Sequence, residues 1–354
     1  MTTHTPSTAP SIVSVSTPGE LVATVPYLVG FRPRDSVVAI SLRGQRSRAG
    51  LVLRLDLPPE SSYPDVARLV AAHLARDGAA QAILVVYPTT HGIYDRPCGA
   101  LVDVISSELT ERRITVRDAL LVHDGRWASY LCDDPVCCPP DGTEVVERDD
   151  SPVAAAHAVE GRVVLDDRAD LARLLESDDG EDARAVARAL AQAPRASALA
   201  PRRTCDRDCL DGELDRRNDR WAGTGETDAS DGAMPVDRVA VLAFALRDPV
   251  LRDHAVARCL RGEPDAYESL WLELTRRLPA PLDAVPATLL AITAYARGDG
   301  AFVRTCLERA QASDPGYSFA DLLTEVLDGG TPPADVLRVL RTAYGGLEIT
   351  DKAV

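Results

Sequence analysis

Three cysteines lie close together in one stretch of this 354-residue sequence, Gly125–Gly142, which reads GRWASYLCDDPVCCPPDG. Four residues separate Cys132 from Cys137, and Cys138 follows directly. Zinc accepts cysteine thiolates, but a structural zinc site normally takes four nitrogen or sulfur ligands, usually from paired cysteines. The spacing here is wide for such a pair, no second pair follows nearby, and adjacent cysteines rarely bind one ion together. A zinc site would need a fourth ligand, for which the candidates are Cys98, His91 and His123.

Thiol chemistry is a second hypothesis for the same cysteines. A disulfide between Cys132 and either Cys137 or Cys138 would act as a redox switch if the two Cα atoms came within about 7 Å. Asp133 and Asp134 oppose this chemistry, because neighbouring carboxylates disfavour the thiolate form of Cys132. A third interpretation is that the thiols serve packing alone, as is common for reduced cysteines. The residues leave all three roles open.

Acid–base catalysis is a further hypothesis, in which an uncharacterised enzyme would use the two aspartates of this segment. Asp133 and Asp134, together with His91 and Asp95, follow predicted strands, and α/β sheets place ligands at the carboxyl ends of strands. The alternative is that an aspartate before Pro135 caps a turn through its side chain. The sequence contains no phosphate loop, dinucleotide fingerprint, nucleophile elbow or His-Glu-x-x-His motif. Catalytic residues therefore stay unassigned, as does enzymatic activity itself.

Alternating strands and helices in the N-terminal part must position this segment. The predicted strands are Ser36–Leu42, Leu51–Leu57, Ala82–Tyr87, Thr115–Val122 and Arg126–Leu131. Amphipathic helices are predicted before the first strand and between the later ones, at Pro64–Arg76 and Pro97–Glu111. This order predicts an α/β fold, with a mixed β-sheet flanked by helices.

The pattern changes after residue 150 to helices alone. Residues 201–235 contain few large apolar side chains and many Asp, Arg and Gly, which predicts a polar linker. An all-helical domain then follows, in which Gly298, Ala310 and Pro315 resemble the spacing of one tetratricopeptide-like hairpin. The predicted plan is a disordered tail at 1–10, an α/β domain at 11–150, connecting helices at 151–200, a polar linker at 201–235, a helical domain at 236–345 and a tail at 346–354.

Charge and hydropathy restrict the partners. The net charge of −15, from 54 acidic and 39 basic residues, repels phosphate backbones and argues against nucleic-acid binding. No run of 18 apolar residues predicts a membrane-spanning helix, and the N-terminus lacks the pattern of a secretory signal. We therefore expect a cytoplasmic protein without a membrane partner, whose helical domain offers a surface to a protein partner. The sequence specifies no oligomeric state.

Two stiff loops at strand ends, Gly30–Ser36 and Gly125–Gly142, are unusually rich in polar and aromatic residues for connectors. We expect them to lie side by side, so that aromatic residues wall a shared pocket and a charged residue of the first loop meets Asp133 or Asp134. This predicts a binding or regulatory protein, with zinc as the cofactor to consider. The candidate pocket residues are Phe31, Arg32, Arg34, Asp35, Ser36, His91, Arg126, Trp127, Tyr130, Asp133 and Asp134.

Two segments, PGELVATVPYLVGFRPRDSVVAIS and GRWASYLCDDPVCCPPDG, resemble the actinobacterial family called domain of unknown function 4192. The resemblance extends over nearly the whole chain, and Cys-Asp-Asp-Pro followed by Cys-Cys-Pro-Pro is unusual enough to be specific. It implies an actinobacterial, cytoplasmic origin and supports the domain boundaries. It implies no activity.

Overall fold

Two compact units make up the chain, and they divide between Arg168 and Ala169. The computed structural model describes residues 17–90, 92–146, 164–177, 180–192, 199–222, 233–261 and 264–345. The predicted tails, 1–10 and 346–354, lie outside these residues. Each unit is described by itself.

The N-terminal unit contains a six-stranded sheet with the order β2-β1-β3-β4-β5-β6. Its strands are β1 Ser36–Arg43, β2 Arg48–Asp56, β3 Gln81–Tyr87, β4 Thr115–His123, β5 Arg126–Ser129 and β6 Thr143–Glu144. β3 and β4 are parallel, and the other neighbouring strands are antiparallel. The prediction of a mixed sheet is therefore confirmed.

Three helices accompany the sheet, namely α1 Pro18–Val29, α2 Tyr63–Arg76 and α3 Gly99–Glu111. α1 begins with a capping box, in which Thr17 and Glu20 each accept a hydrogen bond from the other's backbone N–H, and ends at Gly30 with a positive φ of 86°. The apolar sides of α2 and α3 form one core with β1, β3 and β4, in which Leu74, Leu84 and Leu101 are fully buried. The apolar run of β3 is buried on both faces, as its composition predicts.

The C-terminal half is helical in the part of the chain that the structure describes. Its helices are α4 Arg168–Leu174, α5 Glu181–Gln192, α6 Leu199–Trp221, α7 Val236–Ala245, α8 Pro249–Arg261, α9 Glu268–Arg277, α10 Ala284–Arg297, α11 Gly300–Ser313, α12 Ser318–Asp328 and α13 Pro333–Tyr344. Gly298 ends α10, Ala310 is buried in α11, and Pro315 follows α11. The two helices form a hairpin, and its likeness to a tetratricopeptide unit stays a prediction.

The predicted polar linker at 201–235 is corrected by α6, a helix of 23 residues that occupies its first part. Leu210 and Leu214 lie four residues apart on one helix face and are fully buried. Glu213 is only 5% exposed and binds Arg216 and Arg217, which follow it by three and four residues. The composition of α6 is too polar for a broad apolar face. A narrow apolar stripe and paired charges stabilise this helix instead.

A network of buried charges connects the helices of this unit. Arg277 on α9 donates to both carboxylate oxygens of Asp182 on α5, at 2.7 and 2.8 Å. The same guanidinium donates to Glu273, at 2.8 Å, and to the carbonyl of Met234, at 2.6 Å. Arg217 on α6 also donates to Glu273, at 2.9 Å. Three helices and the backbone before α7 thus converge on one set of ion pairs.

Within the described residues, the structure has no helix that is both long enough and apolar enough to cross a bilayer.

Candidate functional site

The cysteine segment leaves the sheet after β5 and returns to it at β6. Trp127 of β5 pairs with Thr143 of β6, and Arg126 pairs with Glu144. The Arg126 side chain adds two hydrogen bonds, from Nε to the carbonyl of Asp141, at 2.6 Å, and from Nη2 to the carbonyl of Gly142, at 2.7 Å. Both ends of the segment are therefore attached to the same short strand.

A tight turn inside the segment brings its cysteines together. The Asp134 carboxylate accepts a hydrogen bond from the backbone N–H of Val136, at 2.8 Å, and the Asp134 carbonyl accepts one from the N–H of Cys138, at 2.7 Å. Asp134 thus caps a turn through its side chain, which is the alternative to a catalytic role for an aspartate before Pro135. The N–H of Gly142 donates to the carbonyl of Pro139, at 2.8 Å, and closes a second turn.

The sulfur atoms of Cys132, Cys137 and Cys138 all lie within 4.8 Å of one another. All three are free cysteines; Cys137 is exposed and the other two are half-buried. With a Zn–S distance of 2.3 Å, tetrahedral coordination places two thiolates about 3.8 Å apart. Small movements of a loop would suffice to reach that separation, so the three residues fit a thiophilic metal ion.

The fourth ligands considered from the sequence do not join this cluster. Among the described His, Cys, Asp and Glu residues, the group contains the three thiols alone. Cys98 lies beside Tyr63 and Tyr130 instead. His123 is hydrogen-bonded through Nδ1 to the carbonyl of Pro88, at 2.9 Å. His91 lies outside the described residues.

Crowding shifts the acidity of two of the thiols. The pKa of Cys137 is raised above its ordinary value, first by a hydrogen bond with Cys132 and then by the charges of the neighbouring thiols. Burial raises the pKa of Cys138, although a hydrogen bond from the backbone of Ser129 acts in the opposite direction. Neighbouring thiolates repel one another, and a cation bound between them would offset this repulsion.

Arg96 is the residue of this site that sequence reasoning missed. Its Nη1 donates to Asp133, at 2.8 Å, and its Nη2 donates to the carbonyl of Cys132, at 2.7 Å. The expected partner of Asp133 was a charged residue of Gly30–Ser36, and that expectation is corrected here. No local motif marks Arg96, because its partners lie 36 and 37 residues away in the chain.

A cavity of about 260 Å³ lies between Arg96 and the thiol of Cys138. Its wall combines apolar side chains with polar groups, among them one guanidinium and one carboxylate. Its lining residues are Ile93, Arg96, Ala128, Asp133, Pro135, Cys138, Pro139 and Pro140. A small molecule that entered this cavity would contact the cysteine cluster on its half-buried side.

The segment Gly30–Ser36 leads into β1 at the same end of the sheet at which β5 begins, with two strands between them. β3 and β4 stand between β1 and β5, which separates the two strands by about 14 Å at the usual spacing of 4.8 Å. The charged residues of this segment also have other partners. The Asp35 carboxylate accepts from the N–H and the hydroxyl of Thr89, at 3.0 and 2.7 Å. The backbone N–H of Arg32 donates to Leu165, at 2.9 Å.

The remaining residues of the segment interact with Arg54 of β2. Phe31 is 1% exposed, and the Arg54 guanidinium lies 5.7 Å from the centre of its ring. Arg54 also donates to the hydroxyl of Ser36, at 2.9 Å, and to the carbonyl of Arg34, at 3.4 Å. These contacts attach the start of β1 to the edge strand of the sheet.

The aromatic residues proposed to share a pocket also have separate surroundings. The Trp127 ring lies against Gly19 of α1, where a Cβ would stand 3.3 Å from the indole nitrogen. Tyr130 packs with Ile93 and Ala128, and its hydroxyl donates to the carbonyl of Pro97. Burial raises the pKa of Tyr130. A pocket shared by Phe31, Trp127 and Tyr130 stays a prediction, and the cavity lined by Arg96 and Cys138 includes none of these three residues.

Comparison with known proteins gives one match. The family model described as domain of unknown function (DUF4192) matches residues 18–334. No curated protein and no solved structure matches the chain.

Proposed function

We propose that this protein, which belongs to the DUF4192 family, is a metal-binding protein whose Cys132, Cys137 and Cys138 thiolates hold a zinc ion. The observation that carries the proposal is the convergence of the three sulfur atoms within 4.8 Å in a loop attached at both ends. Adjacent cysteines rarely bind the same metal ion, and for this reason the sequence argues against a site that uses both Cys137 and Cys138. In the structure, however, their two sulfur atoms lie close together.

Charge favours zinc over a monovalent soft ion such as Cu(I). Three thiolates with Zn²⁺ have a net charge of −1, whereas with Cu(I) they have −2. Asp133 and Asp134 add negative charge nearby, and the guanidinium groups of Arg96 and Arg126 both contact the loop. The less negative complex is therefore easier to stabilise here.

A three-thiolate zinc site leaves one coordination position for water or a small ligand. The cavity beside Cys138 provides space for such a ligand. This agrees with a binding or regulatory role for the segment. In such a role, binding or loss of the metal would change the conformation of the loop and so its contacts with other molecules.

The first prediction is that protein purified without a histidine tag contains about one equivalent of zinc, measured by elemental analysis. Chelation should lower the melting temperature, because metal that binds the native state stabilises it. Replacing Cys132, Cys137 or Cys138 by serine should lower zinc affinity by more than about 100-fold, since even outer partners of a zinc ligand contribute 10- to 100-fold.

The matched control is Cys205→Ser, which removes an exposed free thiol of α6 in the other unit. This variant should retain zinc. Protein that contains no metal, takes up none from a zinc buffer and melts at the same temperature with chelator would contradict the proposal.

The second prediction concerns Arg96. Arg96→Gln should weaken zinc binding about tenfold without changing the stoichiometry, because the guanidinium positions the Cys132 backbone and offsets the charge of the thiolates. Competition with a chromophoric chelator measures the affinity. Arg112→Gln, at an exposed position at the end of α3, is the charge-matched control and should bind zinc as the parent does. Equal affinities for the two variants would show that Arg96 has no part in the site.

A further inference from the structure

The cysteine cluster also has the arrangement of an oxidation site, an inference that rests on the proposed zinc site. Its three sulfur atoms are within 4.8 Å of one another, and none is joined in a disulfide. Cys137 is the exposed member, so a small oxidant in solution reaches it first. A thiol and a partner sulfur at this distance need only a local loop movement to form an S–S bond.

Geometry selects one pair among the three. Adjacent residues have Cα atoms 3.8 Å apart, which is below the usual range of 4.4–6.8 Å for disulfides, and this disfavours Cys137–Cys138. Cys138 is half-buried and is hydrogen-bonded to the backbone of Ser129. Cys132 is hydrogen-bonded to both Cys137 and Cys138, so exposure distinguishes them, and Cys137 is the exposed one. The favoured pair is therefore Cys132 with Cys137.

We propose that hydrogen peroxide oxidises Cys132 and Cys137 to a disulfide and that the zinc ion is thereby released. The Cys137 thiolate attacks one peroxide oxygen, the O–O bond breaks, and the products are a sulfenic acid and hydroxide. The Cys132 thiolate then attacks the sulfenic sulfur, forms the S–S bond and displaces a second hydroxide. Two electrons pass from the sulfurs to the peroxide, and two protons from solvent convert the hydroxides to two waters.

The zinc ion loses two of its three thiolate ligands in this reaction. Cys138 alone provides one thiolate, which is too few for a stable protein site. Zinc therefore leaves as Zn²⁺, and reduction of the disulfide by a dithiol restores the site. The metal content of the loop then reports the oxidising state of its surroundings.

The test uses the full-length zinc-loaded protein and limiting hydrogen peroxide. A chromophoric chelator measures zinc release, and mass spectrometry measures the loss of two hydrogens. Free thiols are blocked with one alkylating reagent, the disulfide is reduced, and the new thiols are labelled with a second reagent. Trypsin leaves the three cysteines in one peptide, residues 127–148, so fragment ions assign each label. We expect about one zinc released per disulfide, with the second label on Cys132 and Cys137.

Two variants separate the pairings. Cys137→Ser should form no disulfide within this peptide, whereas Cys138→Ser should still form one between Cys132 and Cys137. Three results would each overturn the inference. They are zinc loss while all three thiols still react with the first reagent, a second label on Cys138, and oxidation only to sulfinic acid. Absence of zinc from the untreated protein would instead overturn the proposed function, and the labels of the same sample would still show whether Cys132 and Cys137 pair.

Discussion

Replacement of Arg277 by alanine is expected to lower the free energy of unfolding of the helical unit by about 2–3 kcal/mol, because it removes hydrogen bonds to charged groups in a partly buried network. The Arg277 residue is only 8% exposed and makes hydrogen bonds to Asp182, Glu273 and the Met234 carbonyl. Its removal leaves Asp182 without this cation, whereas Glu273 keeps its ion pair with Arg217. Water already reaches the Asp182 carboxylate, which is 36% exposed, so most of the cost comes from the lost hydrogen bonds.

Urea denaturation followed by tryptophan fluorescence measures this effect, since Trp271 on α9 is fully buried in the same unit. The control is Arg338→Ala, which breaks a surface pair with Asp335 at 2.8 Å. That pair has side chains 70% and 50% exposed, so its loss should cost less than about 1 kcal/mol. Equal losses in the two variants would mean that the Arg277 network does not stabilise the packing of the helices.

The second large effect is expected from Gly142→Ala at the end of the cysteine segment. A Cβ at this position would stand 2.7 Å from Cδ1 of Ile93 and 2.9 Å from the carbonyl oxygen of Trp127. The Trp127 carbonyl belongs to a strand paired on both sides, so it cannot move away cheaply. A positive φ of 71° adds backbone strain. Together these effects should cost about 2–4 kcal/mol and displace the cysteine loop.

The control variant Gly125→Ala separates the backbone strain at a positive φ from the steric contacts of the added Cβ at Gly142. Gly125 has nearly the same φ, 72°, but a Cβ there would meet nothing within 4 Å. We expect a cost of about 1–2 kcal/mol for this control, from the backbone alone. Thermal unfolding and zinc titration of both variants measure the difference. If Gly142→Ala binds zinc as tightly as Gly125→Ala, the closure of the loop onto β5 is not required for the metal site.

The sheet could be predicted because its signals are local. The apolar run at β3 and the alternation at β2 each identify a strand within a few residues. The turn chemistry of Asp134 was also readable, because an aspartate before proline interacts with its own neighbours. The convergence of the three thiols could not be predicted from their spacing in the sequence, because it depends on how the turn folds.

The remaining features depend on contacts between distant residues. Arg96 reaches the cysteine loop across 36 residues, and nothing around it in the chain marks that role. The helix α6 was not predicted because its composition contains few large apolar residues, and one of its stabilising contacts, Arg217 with Glu273, joins residues 56 positions apart. The order of the strands does not follow from the sequence either, and this order places β3 and β4 between β1 and β5.

The turn that gathers the three cysteines has a thermodynamic consequence, because all of them lie between positions 132 and 138 of the chain. Closing so short a loop costs little entropy even in an unfolded polypeptide. The unfolded chain therefore competes for zinc, and metal stabilises the fold only by the ratio of the native to the unfolded affinity. The melting temperature should respond less to zinc than the affinity alone would suggest. A nascent chain could also acquire its metal before the surrounding sheet has assembled.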